Sequence, residues 1–158
     1  MLESLAQWLQ SLPLAILVSE NLFPQVESAH VVALALFFGT LVSVDLRLVG
    51  LASRQLRFTQ VHEQIIPISW LAFAAAAITG SLLFMANATS YIHNTPLMTK
   101  FVLLGLAGLN MLWFQFVTFR GVAAWDAGEP IAAAKWAGWV SIALWTAIIA
   151  CGRVAGFV

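Results

Sequence analysis

The sequence predicts an all-α, four-helix transmembrane bundle with an N-terminal interfacial amphipathic helix. Three observations predict it. The 158 residues are 61% hydrophobic and only 9% charged, against roughly 25% charged in an average soluble domain. The mean hydropathy is +0.92. Four apolar runs are each long enough to cross a bilayer core, which takes about 20 helical residues.

The N-terminal segment, residues 1–22, differs from the rest. Leu2, Leu5, Leu9 and Leu12 recur at helical spacing, with Glu3, Gln7 and Gln10 on other faces. A secretory signal opens with basic residues, whereas no Lys or Arg precedes Arg47. The pattern reads as a helix lying in the membrane interface. Pro13 and Pro24 separate it from the first span.

The four expected spans cover about residues 26–52, 65–86, 97–119 and 131–158, in one membrane domain, 1–158. Polar loops join them at Ser53 to Gln64, Asn87 to Pro96 and Arg120 to Pro130. Pro67, Pro96 and Pro130 fall where a helix start tolerates a missing N–H. Arg47, Arg54, Arg57, Arg120 and Lys135 flank the first and third loops, and Lys100 and Arg153 lie on the other side. The positive-inside rule then places both termini in the periplasm, with the chain in a bacterial inner membrane.

Composition excludes several classes. Seven basic residues balance seven acidic ones, so the basic surplus of a nucleic-acid binder is missing. Cys151 is the single cysteine. It cannot close an internal disulfide, and no CxxCH exists to attach a c-type haem. Cys151 reads as a small apolar residue.

With so little charge, each ionisable group inside a span needs a reason. His30 lies about one turn inside the first span, among apolar neighbours, and neutral imidazole is a common ligand for haem iron. His93 precedes the third span on the same side and is a candidate second axial ligand. His62 lies on the opposite side, about a membrane thickness from His30, and is an alternative ligand for a second centre. Lys100 and Arg153 share the His30 side, where they would neutralise haem propionates or snorkel to lipid phosphate. Asp45 stands 15 residues after His30, about 60° away around the helix axis, and is placed to pair with an arginine such as Arg120, as a structural clamp or as an element of a proton path. Asn110 would hydrogen-bond across the bundle or touch a cofactor edge. His93, Met85 and Met98 offer a copper(I) set as an alternative. Gly39, Gly80, Ser81, Gly105, Gly108 and Gly138 permit close helix approach.

The stretch ESAHVVALALFFGTLVSVDLRLVG resembles the opening helix of the HemJ-type protoporphyrinogen oxidases and of the copper-resistance D membrane domains. NTPLMTKFVLLGLAGLN resembles the lysine-initiated helix of both. The likeness is greater to an uncharacterised group of short bacterial membrane proteins, through Asp45 to Gly50, Asn94 to Lys100 and Trp145 to Arg153. The resemblance implies that His30 ligates a b-type haem and that Lys100 is functionally required. The expected function is that of a non-covalent b-haem protein in quinol-linked electron transfer to a periplasmic partner, as a homo-oligomer. The alternatives are a porphyrinogen oxidase-like enzyme, a copper-handling or transport protein, and a structural subunit without cofactor.

Overall fold

The computed structural model describes residues 1–157; Val158, the last residue of the expected fourth span, lies outside them. Helix α1 (Leu2–Gln10) leads into α2 (Pro13–Leu17). A π turn, Val18–Leu22, passes the chain to α3 (Phe23–Val49). Next come α4 (Phe58–Ala86), the single turn α5 (Ala88–Tyr91) and α6 (Thr95–Trp113). A second π turn, Phe114–Thr118, a 3-10 segment, Phe119–Ala124, and α7 (Ala132–Ala155) complete the chain. Four of these stretches are long and apolar enough to cross a membrane, and the fold is an all-α bundle with the character of a multi-pass membrane protein.

Helix α1 turns Ala6 inward and leaves Leu2, Leu5 and Trp8 exposed, as suits an interfacial helix. It packs on α5 and on α4. Gln10 fixes it there: its Oε1 accepts hydrogen bonds from Thr89 Oγ1 at 2.7 Å and Thr89 N at 3.4 Å. The helix stops at Gln10, and Pro13 starts the next one as its first residue. Pro24 has a comparable effect on the π turn before it, because it has no N–H to give the preceding turn.

Helix α4 begins at Phe58 rather than near residue 65, so Pro67 lies inside it and not near its start. The reason is a cap delivered from far along the chain. Asp126 Oδ1 accepts from Thr59 N at 2.8 Å, Asp126 Oδ2 from Thr59 Oγ1 at 3.0 Å, and the Asp126 carbonyl from Phe58 N at 2.9 Å. Gln60 Oε1 adds a bond from Arg57 N. These satisfy donors that an apolar run alone leaves orphaned.

The four long helices form a strip more than a ring. Helix α3 packs along α4 on one side and α7 on the other, and α7 packs along α6. Helices α4 and α6 share little close backbone packing among the described residues. They meet through rings, Phe84 with Phe101 toward one end and, at the other, Phe58 of α4 with Phe114 of the π turn that follows α6.

Both ends are tied by polar side chains. At the end where α3 finishes, Arg47 is 1% exposed and donates to the carbonyls of Leu56, Asp126 and Gly128. It joins the α3–α4 loop to the segment before α7. Gly50 ends α3 in the left-handed region, φ 85°, with Leu51 N bonded back to the Leu46 carbonyl; glycine takes this conformation without steric cost. The adjacent core holds Val44, Leu48, Phe58, Val61, Trp125 and Ala134. At the other end Asn94 caps α6 by accepting from Leu97 N at 2.9 Å, and it donates to the Ala155 carbonyl of α7 at 3.0 Å.

The expected Asp45–Arg120 clamp does not form. Arg120 is exposed on the 3-10 segment, 6.0 Å from the Phe116 ring centroid. Asp45 instead faces Ser141 on α7. The chain leaves the α-helical path at Phe114, which carries Arg120 off the face that looks at α3. Arg47, two residues beyond Asp45, is the clamp.

Candidate functional site

All four long helices converge on one group of side chains in the half of the bundle next to α1. Helix α3 supplies His30, α4 Thr79 and Gly80, α6 Lys100, and α7 Cys151 and Gly152. The His30 ring is seated against Gly80, where an added Cβ would stand 2.9 Å from His30 Cε1. The Lys100 side chain is similarly seated on Gly152, with Nζ 3.1 Å from an added Cβ. The two glycines are therefore cradles for the imidazole and the lysine stem. Lys100 is near enough to act electrostatically on His30, and the Cys151 thiol stands beside Lys100. Toward the bundle centre, Phe37, Phe73 and Trp145 pack edge-on or tilted into an aromatic cluster, with centroids 4.5 to 6.2 Å apart.

The tautomer of His30 follows from a proton count. Thr79 Oγ1 lies 2.7 Å from the Ala75 carbonyl and donates its one proton there. It also lies 2.9 Å from His30 Nδ1. That contact then needs the proton on Nδ1, with the hydroxyl oxygen accepting. The Ala76 backbone is a further hydrogen-bond partner of the ring, and neutral His30 protonated on Nδ1 keeps its lone pair on Nε2. A ring anchored through Nδ1 with a lone pair on Nε2 is the arrangement metal-ligating histidines use.

The other sequence-derived residues lie apart. His93 is exposed, with Nε2 3.5 Å from Glu3 Oε1 on α1. It lines a surface cleft of about 270 Å³ with Ser90, Asn94, Thr95 and Pro96, and it does not join the His30 group. Arg153 is exposed, 4.6 Å from the Phe157 ring centroid. Asn110 donates to the Ala137 carbonyl at 3.0 Å, a tie between α6 and α7. It sits ten residues after Lys100, about 15 Å along the helix. His62 stacks on Phe119 at 4.8 Å near the Arg47 end. Among the described residues no three His, Cys, Asp or Glu side chains are grouped to hold a metal ion. Met85 is half-buried and Met98 is 37% exposed.

Sequence reasoning puts His30 and Lys100 on one side of the membrane but does not single out Thr79. Its signal is a hydroxyl next to glycine in the apolar run AITGSLL, which reads equally as packing. No known protein family, no curated protein and no solved structure matches the chain.

Proposed function

We propose that this chain is a b-type haem protein of a bacterial inner membrane, serving quinol-linked electron transfer, with His30 as the axial ligand from the protein. The observation that carries the reading is the anchored His30 ring. Its Nδ1 is held by Thr79, and the site is walled by four apolar helices. The donor chemistry fits a haem with one imidazole ligand. It does not fit a bis-histidine iron built from this chain alone, because His93 is held at the surface beside Glu3. Lys100 is the cation placed to meet a propionate, while Arg153 belongs to the exposed end of α7. The haem would supply one-electron chemistry; the protein's part is to orient the imidazole, exclude water and neutralise the propionate. The Lys/Arg bias supports termini on the periplasmic side.

The optical spectrum of the purified membrane protein tests the reading. A Soret band that is lost in His30→Ala is the expected result. A colourless preparation after expression with haem supplied, or a band unchanged in His30→Ala, overturns it. The nearness of Lys100 to His30 favours one second reading, oxidation of a porphyrinogen-like substrate at the same site. Rescue of a strain lacking its own porphyrinogen oxidase by wild type, and not by Lys100→Ala, would select that reading.

A further inference from the structure

The group at His30 leaves one buried acid unexplained. Asp45 lies just over one turn from the end of α3, inside the span, and is 4% exposed. Its Oδ2 is buried without a hydrogen-bond partner. Ser141 of α7, itself 8% exposed, is the polar side chain facing the carboxyl. The helices are unusually close here: a Cβ added at Gly138 of α7 would stand 3.1 Å from the Asp45 carbonyl oxygen and 3.2 Å from Leu48 Cβ.

No cation compensates it. Arg47, on the same helix, gives its protons to the loop carbonyls of Leu56, Asp126 and Gly128. On α7, Lys135 is bonded to Glu129 at 2.7 Å and Arg153 lies at the opposite end. On α4, His62 stacks on Phe119, and the exposed Glu63 carries the wrong sign. None of these charges acts on the Asp45 carboxyl. A carboxylate buried without a counter-charge loses solvation that nothing here replaces, whereas the neutral acid loses much less. A proton on the carboxyl itself removes the charge without a partner side chain.

We propose that Asp45 is a proton-binding site: within the α3–α7 contact its side chain exchanges one proton between a neutral carboxylic acid and a carboxylate. Ionisation releases one proton to water and leaves an uncompensated carboxylate that forces α3 and α7 apart. The site would let whatever the bundle does near His30 respond to proton release at the opposite end. It stands on the burial and partners of Asp45 and does not depend on the haem reading.

Infrared spectroscopy of the full-length protein in detergent, in H2O and D2O, tests it. Wild type is expected to show a carboxylic-acid C=O stretch at neutral pH, shifted in D2O and lost as the pH is raised. Asp45→Asn is expected to lack the band. Should Asp45→Asn not fold, Asp45→Glu is expected to fold with the band moved. Haem propionates, where present, contribute alike to wild type and variants and drop out of the difference. Lack of the acid band in wild type at neutral pH, or the same band unmoved in either variant, overturns the proposal.

Discussion

Thr79 Oγ1 lies 2.9 Å from His30 Nδ1 while giving its own proton to the Ala75 carbonyl. One hydroxyl therefore fixes which imidazole nitrogen carries a proton. Removing it in Thr79→Val keeps the side-chain volume and frees the ring. Histidine 15N NMR is expected to show a single Nδ1–H tautomer at His30 in wild type and a mixture in the variant. Haem affinity is expected to fall by about 10–100-fold, the usual loss when the partner of a ligating histidine is removed. Unchanged tautomer signals in Thr79→Val would refute the assignment.

The seat under the ring gives a separate prediction. Gly80 leaves room for His30 only because it has no Cβ. Gly80→Val should displace the ring toward Lys100 and cost about 1–3 kcal/mol of stability through overpacking. The His30-dependent absorbance is expected to be lost even where the variant still folds. Gly39, with open space around it, provides the control: Gly39→Ala should leave the spectrum unchanged.

Arg47 is the stronger structural tie. Its three carbonyl acceptors sit in two loops, 9 to 81 residues away in sequence. Arg47→Met keeps the stem and removes the hydrogen bonds, so a loss of about 3 kcal/mol or more is expected, at 1.5–3 kcal/mol for each bond to a charged group less partial repair by water. Arg47→Lys should recover little, since an ammonium lacks the planar fork that spans two loops. Thermal unfolding in detergent, compared with Arg120→Met as a near-neutral control, measures both.

Two groups outside the spans contribute to how the fold responds to pH. The hydrogen bond and charge of Lys135 hold the Glu129 carboxyl below its usual value of 4.5. A depressed acid stabilises the fold above that value and loses the contribution as the pH falls through the lower folded value. The effect is expected to be small, because Glu129 is solvent-exposed and such pairs are screened, and to vanish in Glu129→Gln and at high salt. Tyr91 shows the opposite sign. Burial first, and then Glu27, raise its hydroxyl above 10.0. Its contribution is full below that value and declines as the pH rises through the folded value, so Tyr91→Phe should flatten the alkaline limb of the thermal midpoint. An alkaline limb identical in Tyr91→Phe and wild type would refute this.

How much of the molecule is legible in its sequence depends on the range of the interactions. The four spans are properties of local composition, and apolar runs of such length have few alternatives to a membrane helix. His30 and Lys100 stand out because charge is scarce, and a helix reading puts them on one side. The start of α4 is illegible, since Phe58 is placed by Asp126, which is 68 residues later. The clamp is hidden for a related reason. Spacing along α3 gives the direction of Asp45, but it does not give the path of the chain after Phe114, which turns Arg120 outward. Backbone carbonyls of Leu56, Asp126 and Gly128 satisfy Arg47, and sequence patterns do not display backbone acceptors. Thr79 escapes notice because a threonine in an apolar helix usually bonds its own preceding turn. It does so here as well, and that habit is what defines the tautomer of His30.

The sparse backbone packing between α4 and α6 gives the bundle a mechanical weak line. Three of the helix–helix seams, α3–α4, α3–α7 and α6–α7, bring backbones close together, and the fourth is latched by a few rings. Rotating Phe84 and Phe101 about their χ angles breaks no backbone hydrogen bond, so this seam can open while the ties at Arg47 and Asn94 stay fastened. The His30 group has α4 and α6 among its walls, and α1 packs against the neighbouring end of α4. The seam between α4 and α6 is thus the wall of the His30 group held by side chains and not by close backbone packing.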